Sequence, residues 1–272
     1  NPVSEIAETA RHIAQGDFKA RLEKKNDDEI GELSDVINYM AEELANSEKL
    51  KNDFIPSVSH ELRTPLTAIS GWGETLLADP DRDAVQLHRG LRIIVNESRR
   101  LSSMVEELLD FSKMEDGRFT LQLEEVDLQA EFEDAIFTYR ELFRQEGIEL
   151  RYEPGEALLP PVSGDPERLK QVFCNVLDNA AKHGGAGRRI DASLTAEGTE
   201  QVIRVRDYGP GIPEAELPYV KQKFYQGSSK ARGSGIGLAV CDEIVRLHGG
   251  TFDIGNAEGG GAVVTVRLPE KK

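Results

Sequence analysis

Cysteine is almost missing: only Cys174 and Cys241 stand in 272 residues. Both fall inside helical patterns, so no disulfide framework is expected and a reducing compartment is. Cations are short as well, 33 Lys and Arg against 49 Asp and Glu for a net charge of −16. That balance argues against a phosphate-neutralising surface, and no nucleic-acid partner is expected. No uninterrupted apolar run approaches the roughly 20 residues that span a bilayer, so the chain as given reads as soluble. There is no Gly-x-x-x-x-Gly-Lys-Ser/Thr, which removes a Walker-type phosphate loop. Nor is there an initiating methionine: Asn1 opens inside a helical pattern, as expected of a fragment. The length leaves room for two or three domains with a substantial core.

What is present centres on Ser57-Val58-Ser59-His60-Glu61-Leu62-Arg63-Thr64-Pro65-Leu66. Val58, Leu62, Pro65, Ile69 and Leu76 recur at helical spacing and predict a buried stripe. At about 100° per residue, His60 points roughly 200° away from Val58 and Leu62, hence toward water. Glu61 follows directly and could take a proton from the imidazole. Thr64 lies one turn on along the same face, and Pro65 removes a backbone N–H just past the site. His-Glu-Leu-Arg-Thr-Pro-Leu resembles the H box of sensor histidine kinases.

Ahead of it, Val3, Ile6, Ala10 and Ile13 predict one amphipathic helix, stopped at Gln15-Gly16-Asp17. After a polar connector, Leu33, Ile37, Met40 and Leu44 predict a second in heptad phase. The pair, with Asp28-Glu29-Ile30-Gly31 opening the second helix, resembles a HAMP signal-relay module over residues 1–45. A plain coiled-coil lead-in is the alternative. The heptad breaks at Ser47 and Lys51, which reads either as a loosened relay or as a frayed segment. After a turn at residues 78–81, Leu87, Leu91, Ile94, Ser98, Leu101, Val105 and Leu108 predict a return helix over residues 84–114. The apolar faces of such a hairpin are too wide for one pair of helices, so a dimeric four-helix bundle is expected. The resemblance assigns residues 46–114 to a dimerisation and histidine-phosphotransfer domain.

From residue 119 the pattern changes. Alternation over 119–126 predicts a strand, 128–145 a helix and 148–152 a strand. Residues 166–183 predict a helix capped by Asp165. Strands at 190–194, 201–206, 251–256 and 262–268, with a helix at 236–248, complete an α/β sandwich with helices on one face of the sheet. Within it, Asn175, Asn179 and Lys182 share a helical face, a set that suits a phosphate-bound Mg²⁺. The glycines of Asp207-Tyr208-Gly209-Pro210-Gly211 let a ligand approach the backbone. Gly233-Ser234-Gly235-Ile236-Gly237-Leu238 runs into a helix whose N-terminal N–H groups favour phosphate. In this order the three segments resemble the N, G1 and G2 boxes of the histidine-kinase ATPase fold, which is shared with gyrase-type, mismatch-repair and heat-shock ATPases.

That resemblance implies a multidomain chain: an all-α HAMP and four-helix-bundle region, then an α/β-sandwich ATP-binding domain over residues 119–272. It implies ATP and Mg²⁺ as cofactors. Asn175 and Asn179 would hold the metal, and Lys182 with the backbone of Gly233, Gly235 and Gly237, flanked by Leu238, the phosphates. Asp207 would read adenine within the Gly209 and Gly211 loop, and His183 would stack on the base. Phe224-Tyr225-Gln226 resembles the F box, with residues 226–231 as a lid. The family usually has Arg where Gln226 stands and an aromatic where Lys221 stands, and Lys230 or Arg232 could replace the missing cation. The expected activity is autophosphorylation of His60, with Glu61 as proton acceptor, then transfer to an aspartate of a response regulator. Thr64 is expected in a Glu-x-x-Thr phosphatase motif, or else as a mere backbone bond. A homodimer, and a full-length membrane-embedded receptor of which this is the cytoplasmic portion, are implied too. The rivals are a non-histidine ATPase of the same superfamily and a relay scaffold with a degenerate nucleotide site.

Overall fold

The computed structural model describes residues 2–78, 83–155, 158–227 and 235–270. Two compact units divide the chain, Asn1–Ser59 and His60–Lys272. In the first, α1 (Pro2–Ala14) is followed by a connector and by the start of α2 (Glu29–Ala78). The Asp28 carboxylate caps α2, accepting from the N–H groups of Ile30 and Gly31, as expected of an acidic residue at a helix start. Ile13, Leu22, Ile37 and Ala41 form a small core with Ile6 and Phe18 against it. The Asn38 amide holds the connector by bonding both the N–H and the carbonyl of Leu22. The expected heptad is only partly inside: Ile37 is buried, but Leu33, Met40 and Leu44 remain exposed. The buried stripe runs instead through Ser34, Ile37 and Ala41, because α1 and the connector lie on that side.

The second unit opens with the rest of α2 and with α3 (Ala84–Glu115), capped by Asp83. α2 is continuous through Pro65. The two helices meet where Trp72 and Leu76 lie against Gly90. The predicted stripe on α2 is only half-buried apart from Pro65. On α3, Leu87, Leu91 and Val105 are exposed.

The sheet-bearing part contains β1 (Glu124–Val126), α4 (Leu128–Gln145), β2 (Glu149–Pro154), β3 (Val162–Gly164) and α5 (Pro166–Gly184). Then come β4 (Arg189–Glu197), β5 (Glu200–Asp207), α6 (Gly237–Leu247), β6 (Thr251–Asn256) and β7 (Ala262–Pro269). Five strands form one sheet in the order β2-β4-β5-β7-β6, parallel only between β2 and β4. The strand predicted from residue 119 is shorter: only Glu124–Val126 pairs, antiparallel to β3, a strand absent from the sequence expectation. Phe132 and Phe143 of α4, Leu169, Phe173 and Leu177 of α5 and Val240 and Ile244 of α6 pack on Ile190, Leu194 and Ile203. Helices and sheet thus form the expected sandwich.

The end of α3 packs into the same core through Phe111 and Met114. There the buried Asp110 carboxylate accepts from Arg168 and from Gln171. Lys223 bonds Glu115. Removing Arg168 would strand a buried carboxylate, the costly way to break such a pair.

Candidate functional site

His60 lies on α2 and is exposed, as its helical phase requires. Glu61 is 8% exposed. Neighbouring helical positions diverge by about 100°, and among the described residues no hydrogen bond joins Glu61 to His60. The Thr64 hydroxyl donates to the His60 carbonyl at 3.1 Å, so the backbone bond weighed above is present; its lone pairs can still accept from water.

α5 carries the asparagines. Asp165 starts it, its Oδ1 accepting from the Arg168 N–H, with Pro166 at the first turn. Asn175 and Asn179 are half-buried one turn apart, and Asn175 Nδ2 donates to the Gly237 carbonyl at 3.4 Å. That bond ties α5 to the first residue of α6 and leaves the Asn175 amide oxygen for another partner. Two amide side chains one helical turn apart suit a hard cation that draws its other ligands from phosphate and water. Among the described residues no cluster of three His, Cys, Asp or Glu offers a self-contained metal site.

Lys182 and His183 end the helix at the surface. Surrounding protein lowers the Lys182 ammonium from its ordinary value. Glu61, Glu107 and Asp178 act against that shift and Arg100 acts with it. Desolvation also lowers His183, helped by Lys182 and opposed by Asp207. Gly184 is then pressed against Asp207: a Cβ there would collide with the carboxylate, so only glycine lets the helix end meet β5.

Asp207 closes β5 and is 6% exposed. Its Oδ1 accepts from the N–H groups of Gly209 at 2.9 Å and Ala262 at 3.2 Å. Gly211 sits against Asn256. Phe224 is held at φ 68°, a left-handed conformation costly for a side chain of its size. Its N–H donates to the Gly235 carbonyl at 2.9 Å. Its ring meets Phe111 of α3 edge-on, centroids 5.1 Å apart. Gly237 and Leu238 open α6, and Leu238 packs on the main core. Lys230, Arg232 and Gly233, and residues 228–231 of the expected lid, lie outside the described residues. Lys221 has a structural role here, bonding the Asp242 carboxylate at 3.2 Å and the Phe252 carbonyl at 2.8 Å.

Thus Asn175 meets Gly237 midway along α5, and Asp207 meets Gly184 and Gly209 at its C-terminal end. Sequence reading missed the turn between β6 and β7. Ala262 there donates to Asp207, and Asn256 just before it clamps Ile212. The run Gly259-Gly260-Gly261 was the available signal.

Three family profiles match the chain: the HAMP domain at residues 1–46, the His Kinase A (phospho-acceptor) domain at 50–117, and the histidine kinase-, DNA gyrase B- and HSP90-like ATPase at 164–272. The chain belongs to the sensor histidine kinases. This chain is 36% identical to the signal transduction histidine-protein kinase AfsQ2 of Streptomyces coelicolor, covering 99% of the chain and 52% of AfsQ2. It is 30% identical to BaeS of Escherichia coli, over 98% of the chain and 57% of BaeS. It therefore spans about half the length of these relatives. The structure of histidine kinase ThkA in complex with response regulator TrrA matches with a TM-score of 0.61 and 26% identity, over 84% of this chain and 64% of that one. Full-length ShkA in complex with AMPPNP matches at 0.58 and 25% identity, over 82% and 45%. Among the described residues no helix is long and apolar enough to cross a membrane.

Proposed function

We propose that this chain is an ATP-dependent protein histidine autokinase that phosphorylates His60 and passes the phosphoryl group to an aspartate of a response-regulator receiver domain. The observation that carries the reading is the meeting along α5 of Asn175 with Gly237 at mid-helix and of Asp207 with Gly184 and Gly209 at its C-terminal end, in a unit that also presents His60 to solvent. The AMPPNP complex of ShkA and the ThkA complex with its regulator support the nucleotide and the partner.

The chemistry follows from these groups. A neutral His60 ring nitrogen attacks the γ-phosphorus; the new P–N bond forms as the bridging Pβ–O–Pγ bond breaks, and ADP leaves with the electron pair. Glu61 is assigned the imidazole proton, and Lys182 charge stabilisation at the phosphates. Asp207 accepts from the adenine amine, with His183 against the ring. Asn175 and Asn179 would hold Mg²⁺, which supplies charge neutralisation on the phosphate oxygens. Thr64 is assigned to placing water for regulator dephosphorylation.

The exposed apolar residues of α2 and α3, Leu66 and Leu91 among them, support a homodimer through the hairpin. The HAMP match and the receptor relatives support a membrane-embedded full-length protein with this portion in the cytoplasm. The test is incubation with ATP labelled in its γ-phosphate and Mg²⁺, then mapping of the modified residue. An acid-labile label on His60 is the expected result. ATP turnover without any label on the chain would replace the reading with a plain ATPase.

A further inference from the structure

We propose that the β6–β7 turn is the device that holds the purine-reading loop in register, with Asn256 and Arg206 as positioning residues that set selectivity for adenine. The inference rests on the reading of Asp207 as the base-recognising carboxylate and concerns what keeps that carboxylate aimed.

The turn grips the loop at three separate points. Before Asp207, the Arg206 guanidinium reaches across with Nη2 to the carbonyls of Glu258 at 2.8 Å and Gly260 at 3.1 Å. At Asp207, the Ala262 N–H reaches Oδ1. Gly261, at φ 81°, leaves no room for a Cβ against the Asp207 backbone. Beyond it, the Asn256 amide takes both backbone groups of Ile212, Oδ1 accepting from the N–H at 2.8 Å and Nδ2 donating to the carbonyl at 2.7 Å. The turn is closed on itself, with Ala257 N–H bonded to the Gly261 carbonyl and Gly260 N–H to the Ala257 carbonyl. Residues 208–211 are thus suspended between two fixed ends.

Tyr208 stiffens the outer side of that loop. Its ring lies between the guanidinium groups of Arg189 and Arg206, 4.7 and 4.5 Å from the ring centroid, and its hydroxyl donates to Asp191 at 2.6 Å. Such cation–ring stacking is itself stabilising. With Oδ1 occupied by two backbone donors, Oδ2 is the oxygen left to meet the base. An exocyclic amine donates to it, whereas the keto oxygen that guanine carries at the same position faces it acceptor to acceptor. Discrimination of this kind depends on the carboxylate not rotating, because a fixed buried polar group punishes the wrong partner while a mobile one adapts.

The experiment measures ATP and GTP affinity by calorimetry for the wild-type chain, Asn256→Ala, Arg206→Gln and Asp207→Asn, with the KM and saturating rate of His60 phosphorylation and the melting temperature of each. Asn256→Ala and Arg206→Gln are expected to weaken ATP about tenfold while leaving GTP nearly unchanged, raising KM far more than they lower the saturating rate. A merely structural role would lower the melting temperature and leave the ATP-to-GTP ratio at the wild-type value, which would overturn the inference. Should Asn256→Ala fail to fold, the half-exposed Arg206→Gln carries the same test. Retention of wild-type selectivity by Asp207→Asn would overturn the underlying reading of Asp207. Loss of selectivity in Asp207→Asn alone would overturn only the role of the turn.

Discussion

Phe132, Phe173 and Leu177 in the sheet-bearing part are 0%, 1% and 0% exposed, whereas Leu91, Val95 and Leu109 on α3 keep 45%, 46% and 55% of their surface. The first set needs nothing beyond its own chain, since three helices and a five-stranded sheet close a core around it. The second stands on a helix hairpin that leaves these side chains largely open, and burial of apolar surface at about 25 cal/mol per Å² makes a second copy a natural cover. The difference separates two kinds of dependence. On the proposed reading, nucleotide recognition belongs to a self-sufficient fold, while presentation of His60 belongs to helices that keep an apolar face to cover.

The largest effect that tests this division is total loss of labelling without loss of binding. His60→Gln should reduce phosphate incorporation to background while ATP affinity by calorimetry stays at the wild-type value, because the nucleophile and the nucleotide groups lie on different elements. Weakened ATP binding in this variant would show that the two regions are not separable.

Core substitutions sharpen the same contrast. Phe173→Ala should cost about 3–5 kcal/mol of stability, the usual range for removing a buried aromatic, and should abolish ATP binding with it. Leu91→Ala should leave the melting of the nucleotide domain within a degree or two and weaken self-association instead, read by sedimentation. A shared loss in both variants would make the hairpin part of the domain's own core.

How far each region could be read from the chain follows the same line. The return helix expected over residues 84–114 is Ala84–Glu115, because a long apolar period is a local signal that tertiary context seldom overrides. The alternation over 119–126 misled, since a strand needs a partner and β3 offers only three residues, pairing from Val126↔Val162 to Glu124↔Gly164. Upstream, the Gln122 N–H goes to the Asp165 carboxylate instead. The asparagine and glycine boxes were legible as short motifs, and α5, β5 and α6 bring parts of them together. The grip of Arg206 and Asn256 was not, because each bond joins residues more than forty positions apart. Lys221 looked like a defect for the same reason: Asp242 and Phe252, which it ties together, are invisible to a local pattern.

A smaller effect is expected where the hairpin acts on its regulator. The Thr64 hydroxyl already donates to the His60 carbonyl, so the proposed role in dephosphorylation rests on its accepting from a water beside a regulator's phosphoaspartate. Thr64→Ala should leave autophosphorylation near normal and slow regulator dephosphorylation about tenfold, or roughly 1.4 kcal/mol. Phosphate release from purified phosphorylated regulator measures it, and equal rates would leave Thr64 as a helix-bonding residue only.

The smallest effect separates the two regions by pH. His248, buried at the end of α6, accepts the Asp165 N–H on Nε2 at 2.9 Å and therefore carries its proton on Nδ1, toward the Ile244 carbonyl at 2.7 Å. Protonation would remove the acceptor that holds the start of α5. Burial lowers this imidazole from its ordinary value near 6.5, with the Ile244 bond and Asp165 acting in the other direction. In the unfolded chain the same ring takes up a proton at its ordinary value, so between the folded and unfolded values the unfolded state binds more protons. The stabilising contribution is complete above about pH 6.5 and declines as pH falls toward the lowered folded value. Melting of the nucleotide domain should therefore soften as pH falls below about 6.5, and His248→Gln, which cannot titrate, should show a shallower slope with a lower plateau. Identical slopes in the two proteins would assign the acid sensitivity to other groups.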